Sequence, residues 1–373
     1  MSRKQLIEFN QCGMRRVQPY GKMVKDSPPR VTLSDVAVRA GVGSATVDRV
    51  LNERGNVSDT VRKCVLDAAR ELGLKRILPS SHHRTLRVNV ILARAERPLI
   101  TRMAVEMRRL AQRLDSTISI HRTILKYESP EAIAEAMARG GFDAIIVDAP
   151  DHPLIHRAID DLARQNRPVV TIISDVPGSA RLAYAGTDHY KAGRSAGYFL
   201  GRMTAPASVP GKVIVLCHQI GFQAHAERIR GLTDHLSAEV PHLVVAEIVR
   251  GGDDPVLSEI KLKQAFRRHP ETVCIYNAGA ANRGVIAAIR ADILPQRPNF
   301  IGHELTAFTY QCLRDGSMTL TIDQSPELQA QYALEVLMNH FGFDGATHAV
   351  PPYFSTVPIV LYGPQNLPET PPA

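Results

Sequence analysis

Apolar runs and amphipathic stretches alternate along most of the chain, in the order expected for strands followed by helices. From Arg87 onward, short Val- and Ile-rich runs are separated by segments with helical spacing, such as 132–139, 154–165, 223–236 and 328–341. Strands that are apolar throughout are typical of parallel sheets buried on both faces. Eleven strands are too many for one compact doubly wound sheet, so the pattern predicts an α/β domain of two Rossmann-like lobes. The predicted strands are 88–93, 119–125, 144–148, 169–174, 182–186, 212–217, 244–249, 272–277, 300–302, 319–322 and 357–361.

The first quarter of the chain has a different pattern, with three short helical segments between residues 31 and 74. Thr32 followed by Asp35 forms a capping box at the start of the first segment, and Gly41 ends it. The second segment covers 44–52, and the third begins after Ser58 and ends at Gly73. Three compact helices with a tight turn at 41–43 predict an all-α helix-turn-helix headpiece.

The segments between these regions set the predicted domain boundaries. Residues 1–30 contain prolines and basic residues and have no sustained hydrophobic periodicity. This predicts either a loose basic arm or a start codon assigned too far upstream. The polar stretch 75–86 is predicted to be a linker. The larger domain is then 87–373, with lobe one at 87–204 and 325–352 and lobe two at 205–324 and 353–373.

The positive charge of the chain is concentrated in its first quarter. The formal net charge is +8, and residues 1–87 hold 17 Lys and Arg against 8 Asp and Glu, whereas the remainder holds 28 against 29. A basic segment on a neutral body predicts a polyanionic partner. No basic helix with a broad apolar face accompanies this charge, which favours nucleic acid over a membrane surface. The absence of Trp and the 5% aromatic content argue against a stacking platform for single strands.

Cysteine usage and the lack of a targeting pattern predict a cytoplasmic protein. The five cysteines are scattered and never spaced as CxxC, as in reduced proteins. The N-terminal residues lack the apolar core of a secretory signal, and no run approaches the ~18 apolar residues of a membrane helix.

Motifs that would indicate catalysis or a cofactor have structural explanations. Residues 193–197 (GRSAG) match the GxSxG elbow, but the serine falls inside a predicted helix rather than directly after a strand. Gly193, Gly197 and Gly201 recur every four residues and predict a smooth helix face for close packing. The sequence contains no Walker A, HExxH or CxxC motif. We therefore expect no enzyme activity, no metal and no cofactor.

Polar residues stand where several predicted strands end. Because ligands of open α/β sheets bind at the carboxyl ends of strands, these residues predict a cleft between the lobes. Carboxylates, amides and an arginine suit a small polyhydroxylated ligand. The residues concerned are Ser174, Asp175, Asp188, Asn277, Glu304, Asp323 and Gln324, with Arg228 on a helix after the 212–217 strand.

The headpiece resembles that of the lactose-repressor (LacI/GalR) family of bacterial transcription regulators over more than forty residues without a gap. The remainder, from Arg87, is similar to the effector domain of that family and to ribose-type periplasmic binding proteins. The resemblance implies a homodimer or tetramer on a pseudo-palindromic operator, with a small metabolite, most often a sugar, changing DNA affinity. The matching headpiece segments are 32–37 (TLSDVA), 40–42 (AGV), 46–52 (TVDRVLN), 57–58 (VS), Arg62, 68–69 (AA) and 72–73 (LG).

The resemblance also implies which residues touch DNA and effector. In the headpiece these are Thr32 and Ser34 at phosphate, Ser44, Ala45, Thr46 and Arg49 on the recognition helix, and Asn52, Asn56 and Ser58 near the backbone. In the larger domain the sugar-contact positions fall on Asp188, Arg228, Asn277, Glu304 and Gln324, and the strand-end pattern adds Asp175.

The sequence departs from the family at three places. Asp48 replaces a small serine of the recognition helix, and we expect it to pair with Arg49 or Arg62. Ser44 and Ala45 are small, so base readout rests on few donors. Residues 75–86 lack the hinge-helix motif and contain Pro79, which predicts flexible tethers and little operator bending.

Three functions remain open at this level. The leading hypothesis is a ligand-responsive repressor of carbohydrate or related catabolic genes. The alternatives are a cytosolic sugar-processing enzyme with an accessory helix-turn-helix and a ligand-independent architectural DNA-binding protein. The effector could be a sugar, a polyol, a sugar acid or an amino acid derivative, and either an inducer or a corepressor.

Overall fold

The computed structural model describes residues 31–52, 54–55, 57–74, 85–113, 117–218, 223–343 and 356–371. The chain divides by its internal packing into two compact units, Met1–His82 and His83–Ala373, and each is described by itself. The predicted arm at 1–30 and nearly all of the predicted linker lie outside the described residues, since only residues 85 and 86 of the linker are covered.

The small unit contains the three predicted helices: α1 (Leu33–Ala40), α2 (Ser44–Leu51) and α3 (Asp59–Glu71). The capping box is confirmed, because Thr32 N donates to Asp35 Oδ2 at 2.7 Å and Asp35 N donates to Thr32 Oγ1 at 3.3 Å. Gly41 takes the left-handed conformation, φ 66°, that ends α1. The helices enclose a small core of buried residues: Val36, Ala37, Val47, Val50, Leu51, Val65, Leu66, Ala68 and Ala69.

The large unit alternates strands and helices, and each of the eleven predicted strands overlaps an observed one. In chain order the elements are β1 (Leu86–Ala93), α4 (Pro98–Ala111), β2 (Ile118–Leu125), α5 (Pro130–Ala138), β3 (Ala144–Val147), α6 (Pro153–Arg164), β4 (Val169–Thr171), β5 (Ala183–Tyr184), α7 (His189–Met203), β6 (Gly211–Cys217), α8 (Gln223–Glu239), β7 (Leu243–Arg250), α9 (Pro255–Arg268), β8 (Thr272–Asn277), α10 (Asn282–Ile289), β9 (Asn299–His303), α11 (Ala307–Arg314), β10 (Leu320–Asp323), α12 (Pro326–His340) and β11 (Val360–Tyr362).

Two separate sheets confirm the predicted two-lobed α/β architecture. Lobe one has a parallel sheet in the order β2-β1-β3-β4-β5, with α4 and α12 packed on one face and α5 and α6 on the other. Lobe two has the order β11-β10-β9-β8-β6-β7, in which β11 runs antiparallel to β10. Helices α7 and α8 cover one face of that sheet, and α9, α10 and α11 cover the other.

The chain passes between the lobes at 185–188 and at 323–326, and we call these two crossovers the hinge. It passes between the lobes a third time after residue 343, where residues 344–355 are outside the described part. The predicted lobe boundary at residue 204 is wrong. Helix α7 belongs to lobe two, because Ala192, Ala196 and Leu200 are buried with the apolar side chains of β6 and α8. The boundary therefore lies near residue 188. A helix between two sheets can pack on either, and its sequence period does not distinguish them.

The glycines of residues 193–197 serve packing, as predicted. A Cβ on Gly193 would lie 2.0 Å from the backbone oxygen of Arg228, and one on Gly231 of α8 would lie 2.1 Å from Tyr190 O. Ser195 lies in the middle of α7 and donates to Lys191 O at 2.9 Å. This serine therefore has helical backbone geometry and not the strained turn of a nucleophile elbow.

Candidate effector cleft and DNA interface

A cavity of about 590 Å³ lies between the lobes of the large unit. Its wall comes from the loops that follow β1, β2, β3 and β4 in lobe one, and from α8 and the loops after β7, β8, β9 and β10 in lobe two. Parallel strands that end at the same edge of a sheet bring these loops together. Three of the six predicted effector residues, Arg228, Glu304 and Gln324, line this cavity.

Arg228 is the buried cation of the lobe-two wall. It lies on α8 and is 3% exposed. Its Nη1 donates to Ala278 O at 2.8 Å, and its Nε donates to His189 Nδ1 at 3.2 Å. A buried arginine with neutral partners keeps its charge available for a ligand in the cavity.

Glu304 and Gln324 form a polar pair on the same wall. Gln324 Nε2 donates to Glu304 Oε1. Glu304 Oε2 and Gln324 Oε1 are both buried, and neither has a hydrogen-bond partner among the described residues. Burial and the neighbouring Asp323 carboxylate raise the pKa of Glu304 to about 7. The pair therefore offers two acceptor oxygens to the cavity.

Asp148 is a wall residue that the sequence analysis missed. It directly follows β3 and is 8% exposed, and its Oδ1 has no hydrogen-bond partner in the described part of the chain. Burial, followed by the Glu128 carboxylate, raises the pKa of Asp148 to about 7. The sequence signal was a polar residue at the end of a predicted strand. The predicted strand 144–148 ends on Asp148, just as other predicted strands end on the candidate effector residues.

The other three predicted effector residues do not line the cavity. Asp175 is paired with Arg181, whose Nε and Nη2 lie 2.5 and 2.6 Å from its two oxygens. Asp188 caps α7 by accepting from Lys191 N at 2.9 Å. Asn277 is buried behind the wall and donates from Nδ2 to the Oδ1 of the wall residue Asn282 at 2.8 Å. Strand ends need caps and turn-forming side chains as well as ligand contacts, and the sequence pattern does not separate these roles.

Two arginines of lobe one connect the lobes around the cavity. Arg97 pairs with Glu128 of its own lobe, and its Nη2 lies 3.4 Å from Asp253 Oδ2 of lobe two. Arg102 of α4 donates from Nη1 to Asp323 Oδ2 at 2.5 Å and to Leu305 O at 3.1 Å. Each of these two arginines therefore joins lobe one to a carboxylate of lobe two.

The one Phe, Tyr or Trp ring on the described cavity wall is Phe308. The guanidinium carbon of Arg283 stands 4.2 Å from its ring centroid, in cation–π geometry. The wall therefore combines apolar surface with charged and polar side chains.

The predicted DNA-contact residues lie on the surface of the small unit, with differences among them. Thr46 and Asn52 are half-buried, and Asn56 lies outside the described residues. The Thr32 hydroxyl is committed to the capping box, donating to Asp35 Oδ2 at 2.7 Å. The exposed members of the set are Thr32, Ser34, Ser44, Ala45, Arg49 and Ser58.

Asp48 has a different partner from the predicted ones. Asn52 Nδ2 donates to Asp48 Oδ1 at 2.7 Å and to Asp48 O at 3.0 Å, across one turn at the end of α2. The prediction that Asp48 pairs with Arg49 or Arg62 is therefore wrong, since the described contacts of Asp48 include neither arginine. This leaves Arg49 exposed as the long donor of the recognition helix.

Comparison with known proteins matches both units. Residues 90–344 match the family described as periplasmic binding protein domain, and residues 32–76 match bacterial regulatory proteins, lacI family. The HTH-type transcriptional repressor PurR of Erwinia tasmaniensis is 24% identical over 290 residues, covering 73% of this chain and 80% of that protein. The ribose operon repressor of Halalkalibacterium halodurans is 27% identical over 171 residues, covering 42% of this chain and 50% of that protein.

Solved structures with the fold of the large unit include proteins named as sugar-binding. The glucose-galactose binding protein GanP from Geobacillus stearothermophilus superposes with a TM-score of 0.65 at 21% identity, over 76% of this chain and 99% of that one. The arabinose binding protein AraP from the same organism superposes with a TM-score of 0.60 at 17% identity, over 75% and 97%. The chain therefore belongs to the periplasmic binding protein domain family, and its first unit carries a domain of the lacI family of bacterial regulatory proteins.

Proposed function

We propose that this protein is a transcriptional repressor that binds operator DNA through residues 31–74 and responds to a small polyhydroxylated effector, a sugar or polyol, in the interlobe cavity. It acts in the cytoplasm, where operator DNA lies, as a homodimer or tetramer on a pseudo-palindromic site. Its targets are carbohydrate or related catabolic genes. The repressor names of both relatives and the sugar-binding names of the structural neighbours support this proposal.

The observation that carries the effector class is a set of three buried acceptor oxygens that line the same cavity, one from lobe one and two from lobe two, and that have no hydrogen-bond partner among the described residues. They are Asp148 Oδ1, Glu304 Oε2 and Gln324 Oε1. An unsatisfied buried acceptor costs roughly 1–3 kcal/mol, so a ligand that supplies donors recovers that free energy. A ligand with several hydroxyl groups can satisfy all three and still accept from Arg228.

The melting temperature of the full chain tests the effector class. We would compare D-ribose, D-arabinose, D-xylose, D-glucose, D-galactose and ribitol with hypoxanthine and a set of amino acids. A rise with one or more of the sugars or ribitol, lost in Glu304→Gln, supports the proposal. A rise with amino acids or hypoxanthine alone contradicts the polyhydroxylated class.

Selection of bound duplexes from a randomised DNA library tests the DNA function. Recovery of a pseudo-palindromic sequence that Arg49→Ala no longer enriches supports the headpiece assignment. Enrichment of no sequence would contradict site-specific binding and favour an architectural DNA-binding protein.

We also propose that the protein is not an enzyme. Ser195, the residue of the one hydrolase-like motif, donates to its own helix. The alternative, a sugar-processing enzyme, predicts turnover of the sugar that binds. Incubating the full chain with that sugar and finding it unchanged by mass spectrometry and by NMR supports the regulator, whereas a product contradicts it.

A further inference from the structure

The side chain of Arg228 is held by a histidine as well as by backbone. Its Nε donates to His189 Nδ1 at 3.2 Å, and its Nη1 donates to Ala278 O at 2.8 Å. The backbone of Arg228 is pressed against α7, since a Cβ on Gly193 would lie 2.0 Å from Arg228 O. A shift of the Arg228 guanidinium within the cavity wall therefore changes its hydrogen bond to His189.

His189 is a neutral ring whose tautomer is fixed by its hydrogen bonds. Because Nδ1 accepts from Arg228, the ring proton is on Nε2, which lies 2.6 Å from Ile173 O. Burial, and then the Arg228 charge, hold the pKa of His189 well below its usual value. The ring therefore accepts one bond from lobe two. On the lobe-one side its Nε2 donates to Ile173 O and also lies 3.2 Å from Tyr184 OH.

The lobe-one partner, Ile173, has a strained backbone. Its φ is 62°, which a β-branched residue rarely adopts. Its N donates to Gln329 Oε1 at 3.0 Å, and its O also accepts from Tyr184 OH at 2.9 Å. Gln329 in turn donates to Gln324 O at 3.0 Å, beside the cavity. These surrounding bonds hold Ile173 in one conformation.

His189 stands at the first hinge crossover, because it is the first residue of α7 and directly follows residues 185–188. We propose that His189 is a positioning residue of the hinge, which ties Arg228 of lobe two to Ile173 of lobe one so that the position of the Arg228 guanidinium sets the angle between the lobes. The effector's part in moving Arg228 rests on the proposed function, whereas the tie itself does not.

The test measures the distance between the lobes in the full chain without effector or operator. Nitroxide labels at Glu135→Cys on α5 and Gln264→Cys on α9, both exposed, report this distance by double electron–electron resonance. The background carries Cys12→Ser and Cys64→Ser, and labelled chains are diluted with unlabelled ones. The three remaining cysteines are buried.

Two substitutions of His189 each remove one hydrogen bond of the tie and keep the other. His189→Gln keeps an amide donor near the Nε2 position and loses the acceptor for Arg228. His189→Asn keeps an acceptor near the Nδ1 position and loses the donor to Ile173. Since either loss breaks the tie, we expect both variants to broaden the distance distribution and to raise the share of chains outside the wild-type distance peak about fivefold.

Arg228→Lys tests the same bond from the other side, because lysine keeps the charge without the Nε donor. We expect it to shift the distribution as His189→Gln does, and the double variant to shift it no further than either single one. The matched control is His235→Asn, another buried histidine of the α7–α8 interface, near Gly197 but without bonds to Arg228 or Ile173 in the described contacts. It should leave the distribution unchanged.

The proposal is overturned if the His189 variants keep the wild-type distribution, if the shifts of Arg228→Lys and His189→Gln add, or if His235→Asn broadens the distribution equally. If a His189 variant does not fold, Arg228→Lys against His235→Asn decides. Failure of every sugar to bind would contradict the proposed function and leave this distance measurement valid.

Discussion

Arg97 and Asp253 form an ion pair between the two lobes, with Nη2 and Oδ2 3.4 Å apart and side chains only 17% and 5% exposed. Arg97 precedes α4 in lobe one and also pairs with Glu128. Asp253 lies in the loop after β7 in lobe two, where its Oδ1 accepts from Ala280 N at 2.9 Å. Both residues line the cavity, so the charge that joins the lobes also faces the effector.

Asp253→Asn removes the carboxylate charge and keeps a side chain of the same size. Asp253 has φ 55°, which asparagine tolerates, and the amide oxygen can still accept from Ala280 N. We expect the free energy of unfolding of the large unit to fall by about 1–3 kcal/mol. This is less than the cost of leaving a buried charge wholly unpaired, because Glu128 still faces Arg97. Denaturant unfolding of the full chain measures the loss. Asp161→Asn, which breaks an exposed pair with Arg164, serves as control and should cost under about 1 kcal/mol. Equal losses in the two variants would show that the interlobe pair stabilises the fold no more than an exposed pair does.

The raised pKa of Asp148 predicts a pH dependence of stability with a definite sign. The folded protein keeps a proton on Asp148 up to about pH 7, whereas the unfolded chain releases it near 3.8. Between these values the folded state binds more protons, so its stability falls as pH rises. Asp148→Asn removes this dependence, and the variant should match the wild type near pH 4 and exceed it by roughly 4 kcal/mol at pH 8.

Melting temperatures of the effector-free chain from pH 4 to pH 8 check this difference. The buried carboxyl of Glu304, whose pKa is also raised to about 7, adds a slope of the same sign that Asp148→Asn leaves in place. Asp161→Asn, an exposed aspartate, is the control and should follow the wild type. Parallel curves for Asp148→Asn and the wild type would mean that Asp148 is ionised throughout.

Arg228→Ala should abolish the response to whichever sugar or polyol raises the melting temperature, while operator binding by the free protein persists. Loss of a charged hydrogen-bond donor inside the cavity costs about 1.5–3 kcal/mol, which corresponds to at least a tenfold weaker effector affinity. Isothermal titration and operator release check the two parts. Arg230→Ala, on the same helix but exposed and paired with Glu227, is the control and should respond normally. A full response by Arg228→Ala would remove this residue from the site.

Arg49→Ala should weaken operator binding by about 1–3 kcal/mol if the guanidinium reads a base edge. Fluorescence anisotropy on the selected operator and on random DNA, at two salt concentrations, separates the roles. Arg39→Ala on α1 removes another exposed arginine, one paired with Glu71, and should have a smaller effect. Equal weakening by Arg49→Ala on both duplexes would show that this residue only contacts phosphate.

Gly193→Ala should destabilise the large unit by about 1–3 kcal/mol, because the new Cβ meets the backbone oxygen of Arg228 and the two helices must separate. Gly140→Ala, where a Cβ would have no atom within 4 Å, should be neutral. Thermal unfolding compares the two variants. If Gly193→Ala melts with the wild type, the close approach of α7 and α8 is not required for stability.

The sequence alone determined the local structure and the class of this protein. Helix caps such as Thr32 with Asp35, and strand-length runs of Val and Ile, depend on residues a few positions apart, so their patterns are readable along the chain. The two-lobed fold follows from the number of strands that one sheet can hold. The headpiece motif, which is local and continuous, was sufficient to indicate the lacI family.

Only the tertiary structure decided which strand-end residues face the cavity. Asp175 and Asp148 both follow buried strands, yet Asp175 turns to Arg181 while Asp148 remains without a side-chain partner in the described residues. The lobe to which α7 belongs and the tie from Arg228 through His189 to Ile173 were likewise invisible in the sequence. These features depend on the direction of side chains and on partners distant in the chain, which packing of the lobes brings together and local periodicity does not encode.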